Sequence, residues 1–179
     1  MHEAQTTRDA VARDFGGLDA EALNWKPEPD RWSIAQCLDH LIRSNERYWP
    51  TFEAVAEGRK QDTLMERIPL LPRVFGSLVR WATYPETRRR VPTTRQLQPD
   101  ASDIPETIVR DFVANVDDHV ARIEAMAHLD HRTVVVTSPF ASFVCYTLED
   151  AVIISISHLE RHRRQAVQVR SEWERRGSR

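Results

Sequence analysis

The chain has 179 residues and a formal net charge of −2, with a sequence pI near 6.4. That length allows one domain with a sizeable core, and so small a net charge exerts no global pull toward nucleic acid or an anionic membrane. The longest mostly apolar run, Ala151 to Ile156, is far short of the roughly 20 residues that span a bilayer, so a soluble protein is expected.

Glu3 to Ala22 is helix-permissive, with a break expected at Gly16-Gly17. Asn24-Trp-Lys-Pro-Glu-Pro-Asp-Arg-Trp32 is a loop by its two prolines, closed by Ser33 as the N-cap of a second helix. That helix runs to about Glu57, with a kink expected at Pro50 and Gly58 as its stop. Its apolar positions are Ile34, Cys37, Leu38, Leu41, Ile42, Trp49 and Phe52. Arg59 and Lys60, just beyond, suit the negative end of the helix dipole. At about 100° per residue, His40 lies roughly 60° past the Cys37 edge of this stripe. A ligand facing a cavity between helices can lie there, but periodicity alone suits a half-exposed histidine better.

Between Arg59 and Asp103 the pattern loosens into one short helix around Val74, Phe75, Leu78, Val79 and Trp81, then an extended crossover through Pro85, Pro92 and Pro99. Ser102 or Asp103 can cap a third helix with Pro105 in its first turn. Ile108, Phe112, Val116, Val120 and Ile123 form its apolar side, where His119 also lies. Val134-Val-Val136 is β-prone but isolated and ended by Ser138-Pro139, so no sheet is expected. The last helix begins near Thr147, whose hydroxyl can cap it with Asp150 at the capping-box position, and runs to about Arg175. Its inward stripe is Leu148, Val152, Ser155, Leu159, Ala166, Val169 and Trp173. His162 falls in that stripe and His158 flanks it, while Arg161, Arg164 and Gln168 face the other way.

His158 and His162 are the most informative residues of the chain. Two neutral imidazoles one helical turn apart can grip a single divalent cation, and His40 is the best candidate for a third ligand. Cys37 can offer a thiolate but is better read as a small buried hydrophobe. His119 reads as a core or pocket residue, His128 and His131 as exposed, and Trp25 and Trp32 as loop anchors. The pair His158-Leu-Glu-Arg-His162 has zinc-protease spacing, yet its acid is displaced from the H-E-x-x-H order. Glu160 sits about 200° round the helix from His158, which disfavours protease chemistry. The arginine clusters at Arg88 to Arg90 and Arg161 to Arg179 read as a solvated helix face and tail. No recognition motif accompanies them, so nucleic-acid binding ranks last. Two cysteines, Cys37 and Cys145, make no disulfide framework, and the N-terminus lacks a secretory pattern. A reducing cytoplasm is the expected location.

Four long amphipathic helices and one long crossover predict an all-α fold, a four-helix bundle whose facing helices can build a metal site. The segment Trp25-Lys-Pro…Arg31-Trp32-Ser33-Ile34…Asp39-His40-Leu41 and the later Ser138-Pro139-Phe140…Leu148…His158-Leu-Glu-Arg-His162-Arg-Arg-Gln165 resemble the two signatures of the DinB-like superfamily. The resemblance covers nearly the whole chain, as one domain over residues 1–179. It implies an antiparallel four-helix bundle with a long crossover between helices two and three, and one divalent ion, nickel or zinc, on His40, His158 and His162. It further implies a metal-dependent transferase joining a low-molecular-weight thiol, such as bacillithiol or mycothiol, to an electrophilic small-molecule substrate. The alternative is a non-catalytic, metal-stabilised bundle acting as a dimeric stress-related module. By the same analogy a homodimer is expected, with Phe75 and Trp81 supplying an apolar contact. Gln165, roughly on the His158 side of its helix, and Asp39 are expected to orient ligands by hydrogen bonds.

Overall fold

A computed structural model describes residues 1–68, 70–83 and 103–177. The crossover prolines Pro85, Pro92 and Pro99, the cluster Arg88 to Arg90, the Ser102 cap and the last two residues of the basic tail lie outside the described residues.

The first helical stretch divides at the glycine pair into α1 (His2–Phe15) and α2 (Ala20–Asn24). Asp19 caps α2, its carboxylate accepting the Ala22 N–H at 2.8 Å. Helix α3 (Ile34–Ala56) opens on a full capping box. Ser33 Oγ accepts the Gln36 N–H at 3.1 Å, and Gln36 Oε1 accepts the Ser33 N–H at 3.2 Å. The helix continues through Pro50 as one element. It ends before Gly58, whose φ of 67° suits a residue without a Cβ. The next two amides, of Arg59 and Lys60, both donate to the Ala54 carbonyl.

The short helix α4 spans Leu71–Thr83. Helix α5 (Ile108–Ala125) begins later than a cap at Asp103 would place it. The reason lies in Ile104, which precedes a proline and is steered away from helical backbone. Its N–H and C=O are instead taken by the Asn24 side chain, both at 2.9 Å, and Pro105 then opens a turn closed by the Ile108 N–H. Helix α6 (Leu148–Gly177) starts as expected. Thr147 Oγ1 accepts the Asp150 N–H at 3.0 Å and donates to Asp150 Oδ2 at 2.8 Å.

The expectation of no sheet is overturned. Strand β1 (Val135–Ser138) pairs antiparallel with β2 (Ala141–Thr147), Val136 opposite Tyr146 and Thr137 opposite Cys145. Ser138-Pro139 turns the chain instead of ending the strand. Pro139 sits outside the ladder, where its missing N–H breaks no bond. Val136 and Tyr146, opposite each other in the ladder, bury one side of the hairpin against the helices, while Cys145 on the other side is buried with its Sγ 3.5 Å from the Met65 carbonyl oxygen.

Helices α1 and α3 each pack against both α5 and α6. Their shared core holds Val11 and Phe15 of α1, Leu38 and Leu41 of α3, Phe112 and Val116 of α5, and Leu159 and Ala166 of α6. At about 1.5–3 kcal/mol for each large side chain removed from water, this apolar seam is the main stabilising term. A second cluster joins Tyr48 and Phe52 to Met126, Val136, Tyr146 and Leu148 at the hairpin end. Helix α4 packs on β2 and α6, leaving Val74, Leu78 and Trp81 exposed. No described helix is long and apolar enough to cross a membrane.

Gly76 is where α4 meets α6. A Cβ built there would lie 2.2 Å from Asp150 Oδ2, and Asp150 is held in place by Thr147 and by Arg80 Nη1 at 3.1 Å. Gly76→Ala should therefore lower stability by about 1–3 kcal/mol. Gly17→Ala, where an added methyl meets nothing within 4 Å, should hold stability or raise it by up to about 1 kcal/mol. Urea unfolding of the two variants beside wild type checks the contrast, and equal midpoints would refute the close contact.

Candidate metal centre

The contacts between α3 and α6 run in opposite chain directions. Arg31 meets Glu172, His40 meets His158, and Tyr48 meets Tyr146 just ahead of α6. This antiparallel register carries His40 onto the histidine pair. His40 Nε2 and His158 Nε2 are 3.2 Å apart. The His162 ring lies 4.6 Å, centroid to centroid, from each of the other two. Each residue offers a nitrogen, and these atoms all fall within 4.8 Å of one another.

The half-exposed reading of His40 is corrected by the structure, where its exposure is only 3%. The buried face of α3 is wider than its apolar stripe, because Gln36, Ser44 and Asn45 are buried beside His40. The loop ahead of α3 also folds Trp32 back over the site. Its ring lies 4.9 Å from His40 and stacks on His162 at 5.5 Å, with 23° between the planes. Trp32 is thus a wall of the site as well as a loop anchor. Sequence reading missed this role because the aromatic belongs to no helical period. Trp25, by contrast, packs on Trp173.

Burial keeps His158 and His162 uncharged. It pushes His158 down to about 3, with the neighbouring His40 and Arg161 adding to the effect. His162 is held well below the ordinary histidine value by the same burial and by its two neighbours. His162 Nδ1–H donates to Gln165 Oε1 at 3.1 Å, so its Nε2 keeps a free lone pair. Gln165 therefore orients His162, although its helix position had placed it nearer His158. The described partner of Asp39 is Arg43, at 2.9 Å, and not an imidazole.

Three neutral nitrogens and no carboxylate make a donor set suited to zinc or a similar first-row divalent ion. The 3.2 Å between His40 and His158 is close to the roughly 3.3 Å separating two imidazoles that each lie about 2.0–2.1 Å from one ion in tetrahedral geometry. The residues present fit the group.

The remaining candidates separate cleanly. Glu160 faces away, bound by Arg163 at 2.7 Å and Arg164 at 2.8 Å, as its helix angle predicted. Cys37 is fully buried and its thiol is pushed up to about 12, which makes it a core group and not a thiolate. His128 is exposed, while His131 is half-buried through a hydrogen bond to the Met126 carbonyl at 2.9 Å. His119 is fully buried with both nitrogens engaged. Trp49 Nε1–H donates to Nδ1 at 3.3 Å, His119 Nε2–H donates to Ser155 Oγ at 3.0 Å, and Ser155 passes the chain to the Val152 carbonyl at 3.0 Å. No lone pair remains there for a cation.

Residues 3–166 match the family model of the DinB superfamily, and the chain belongs to that superfamily. The searches of curated proteins and of solved structures gave no match.

The pH dependence of the metal-free protein follows from three depressed histidines, His119, His158 and His162. Burial, then Arg122, holds His119 at about 4, and His158 sits at about 3, whereas an unfolded histidine titrates near 6.5. His162 lies well below that value too. Above it both states are neutral, and these groups leave stability level. Below it the unfolded chain takes up protons that the native chain refuses. Each histidine then removes about 1.4 kcal/mol per pH unit until its native value is reached. Chemical unfolding at pH 8, 7 and 5 should show level stability and then a fall, shallower in His119→Gln. A flat profile from pH 7 to 5 would contradict the assignment.

Proposed function

We propose that this member of the DinB superfamily is a divalent-metal-dependent enzyme that transfers an electrophilic small molecule onto a low-molecular-weight thiol. In this reading one nickel or zinc ion is held by His40, His158 and His162 between facing helices of an antiparallel four-helix bundle, formed as one domain over residues 1–179. The observation that carries the proposal is the convergence of three imidazoles from α3 and α6, His40 and His162 buried and His158 partly so, with no acid among them. Superfamily membership supports it.

Three neutral donors do not compensate the charge of a divalent ion, and they leave coordination positions open. When bound, the ion supplies Lewis acidity that lowers the pKa of a thiol or water beside it and keeps an anionic nucleophile at neutral pH. The protein's share is orientation and exclusion of water. Trp32 covers the His40 and His162 faces, and Gln165 aims the His162 lone pair. Both cysteines are buried and free, which supports a reducing, cytoplasmic setting.

A second reading is a non-catalytic, metal-stabilised module that pairs with another copy of the chain. The exposed row Val74, Leu78 and Trp81 on α4 favours it, since contiguous apolar surface commonly marks an interaction face.

Elemental analysis of untagged wild type, His162→Ala and Glu160→Gln prepared identically tests the site. Wild type and Glu160→Gln should carry about one nickel or zinc per chain, and His162→Ala less than about a tenth of that. Equal metal in all three would sink the triad. With metal established, consumption of a thiol by wild type in the presence of an activated aryl halide supports the transferase. A metal-raised melting temperature with no thiol consumed favours the pairing module.

A further inference from the structure

We infer that Gln165 is a positioning residue that sets the metal affinity of the centre through His162, an inference that rests on the metal-dependent reading above. An imidazole ligates through one nitrogen only if the proton is on the other. In His162 that choice is not left to solvent, since the residue is 8% exposed. Its ring is pinned on one face by Trp32, nearly parallel at 5.5 Å. Its Nδ1–H is accepted by Gln165 Oε1 at 3.1 Å, from a residue three positions on, where helix geometry makes side chains neighbours.

Together the two contacts fix ring orientation and tautomer. Nε2 is left as the nitrogen with a free lone pair in a ring 4.6 Å from those of His40 and His158, the arrangement that a partner on the distal nitrogen of a metal-bound histidine usually enforces. With no acceptor at Nδ1, the ring divides between two tautomers, and the share with Nε2 protonated cannot bind. Apparent affinity falls by the fraction lost, together with the loss of ligand basicity.

The chemical identity of the acceptor matters as well. An amide fixes the tautomer without adding charge, so the positive character of a loaded site is preserved for an anionic ligand. A carboxylate at the same place would enforce the same tautomer but lower that charge. A substitution that merely disturbed packing would not distinguish these two functions of the side chain.

The experiment compares wild type with Gln165→Leu and Gln165→Glu by zinc titration against a competing chelator. Imidazole 15N shifts of His162 are recorded in the metal-free proteins, alongside their melting temperatures. The expected result is one site per chain that is roughly 10–100-fold weaker in Gln165→Leu and equal to wild type or tighter in Gln165→Glu. Nδ1 should be protonated in wild type and Gln165→Glu, with both tautomers present in Gln165→Leu and metal-free melting unchanged. Affinity of Gln165→Leu within twofold of wild type overturns the inference while leaving the metal reading intact. Equal loss in both variants assigns Gln165 to packing and also overturns it. A wild type that binds no zinc or nickel overturns the metal reading itself, and the unaltered His162 shifts record which of the two failed.

Discussion

The packing of three imidazoles between α3 and α6, with His40 and His162 taken out of water, is the constraint on which the rest of this structure turns. A buried polar group without a partner costs about 1–3 kcal/mol, so the interior must answer each one. It does so locally at His162, through Gln165, and it repeats the solution along the seam away from the site. Asn45 Nδ2–H donates to Asn115 Oδ1 at 2.8 Å, the Tyr48 and Tyr146 hydroxyls are hydrogen-bonded to each other at 3.1 Å, and Trp49, His119, Ser155 and Val152 form a closed relay. The core around the candidate centre is mixed, with polar residues in pairs and chains inside an apolar frame.

That frame fixes the geometry of the site from both ends. Near the C-terminal half of α6, Arg31 grips Glu172 with two parallel bonds of 2.9 Å, a fork geometry suited to carboxylate recognition. At the start of α6 the hairpin presses Tyr146 onto Tyr48, and α4 lies close enough at Gly76 to touch Asp150. The hairpin and α4 carry no candidate ligand. They pack against the start of α6, the helix that carries His158 and His162. A divalent ion held by these three nitrogens would keep open coordination positions, and Trp32 walls the site beside His40 and His162.

Much of this was legible in the residues because it is local. The Ser33 and Gln36 box, the Thr147 and Asp150 cap, the stop at Gly58 and the outward turn of Glu160 all follow from relations within one or two helical turns. The hairpin was not legible, because each strand acquires meaning only from its partner, and Ser138-Pro139 reads equally as an end or as a turn. The late start of α5 depended on Asn24, 80 residues away, capturing the Ile104 backbone. The closed relay that removes His119 from ligand duty joins three elements and shows in no single period.

The sequence by itself determined the long helices and the one-turn spacing of His158 and His162, because helical periodicity and capping are properties of neighbours in the chain. It also supplied the resemblance that the DinB superfamily match bears out. Only the tertiary structure decided that His40, 118 positions from His158, is buried against that pair, that Trp32 covers it, and that its partners His158 and His162 are held neutral. Distance between remote residues and removal from water arise when α3 docks antiparallel on α6, and no local pattern encodes them.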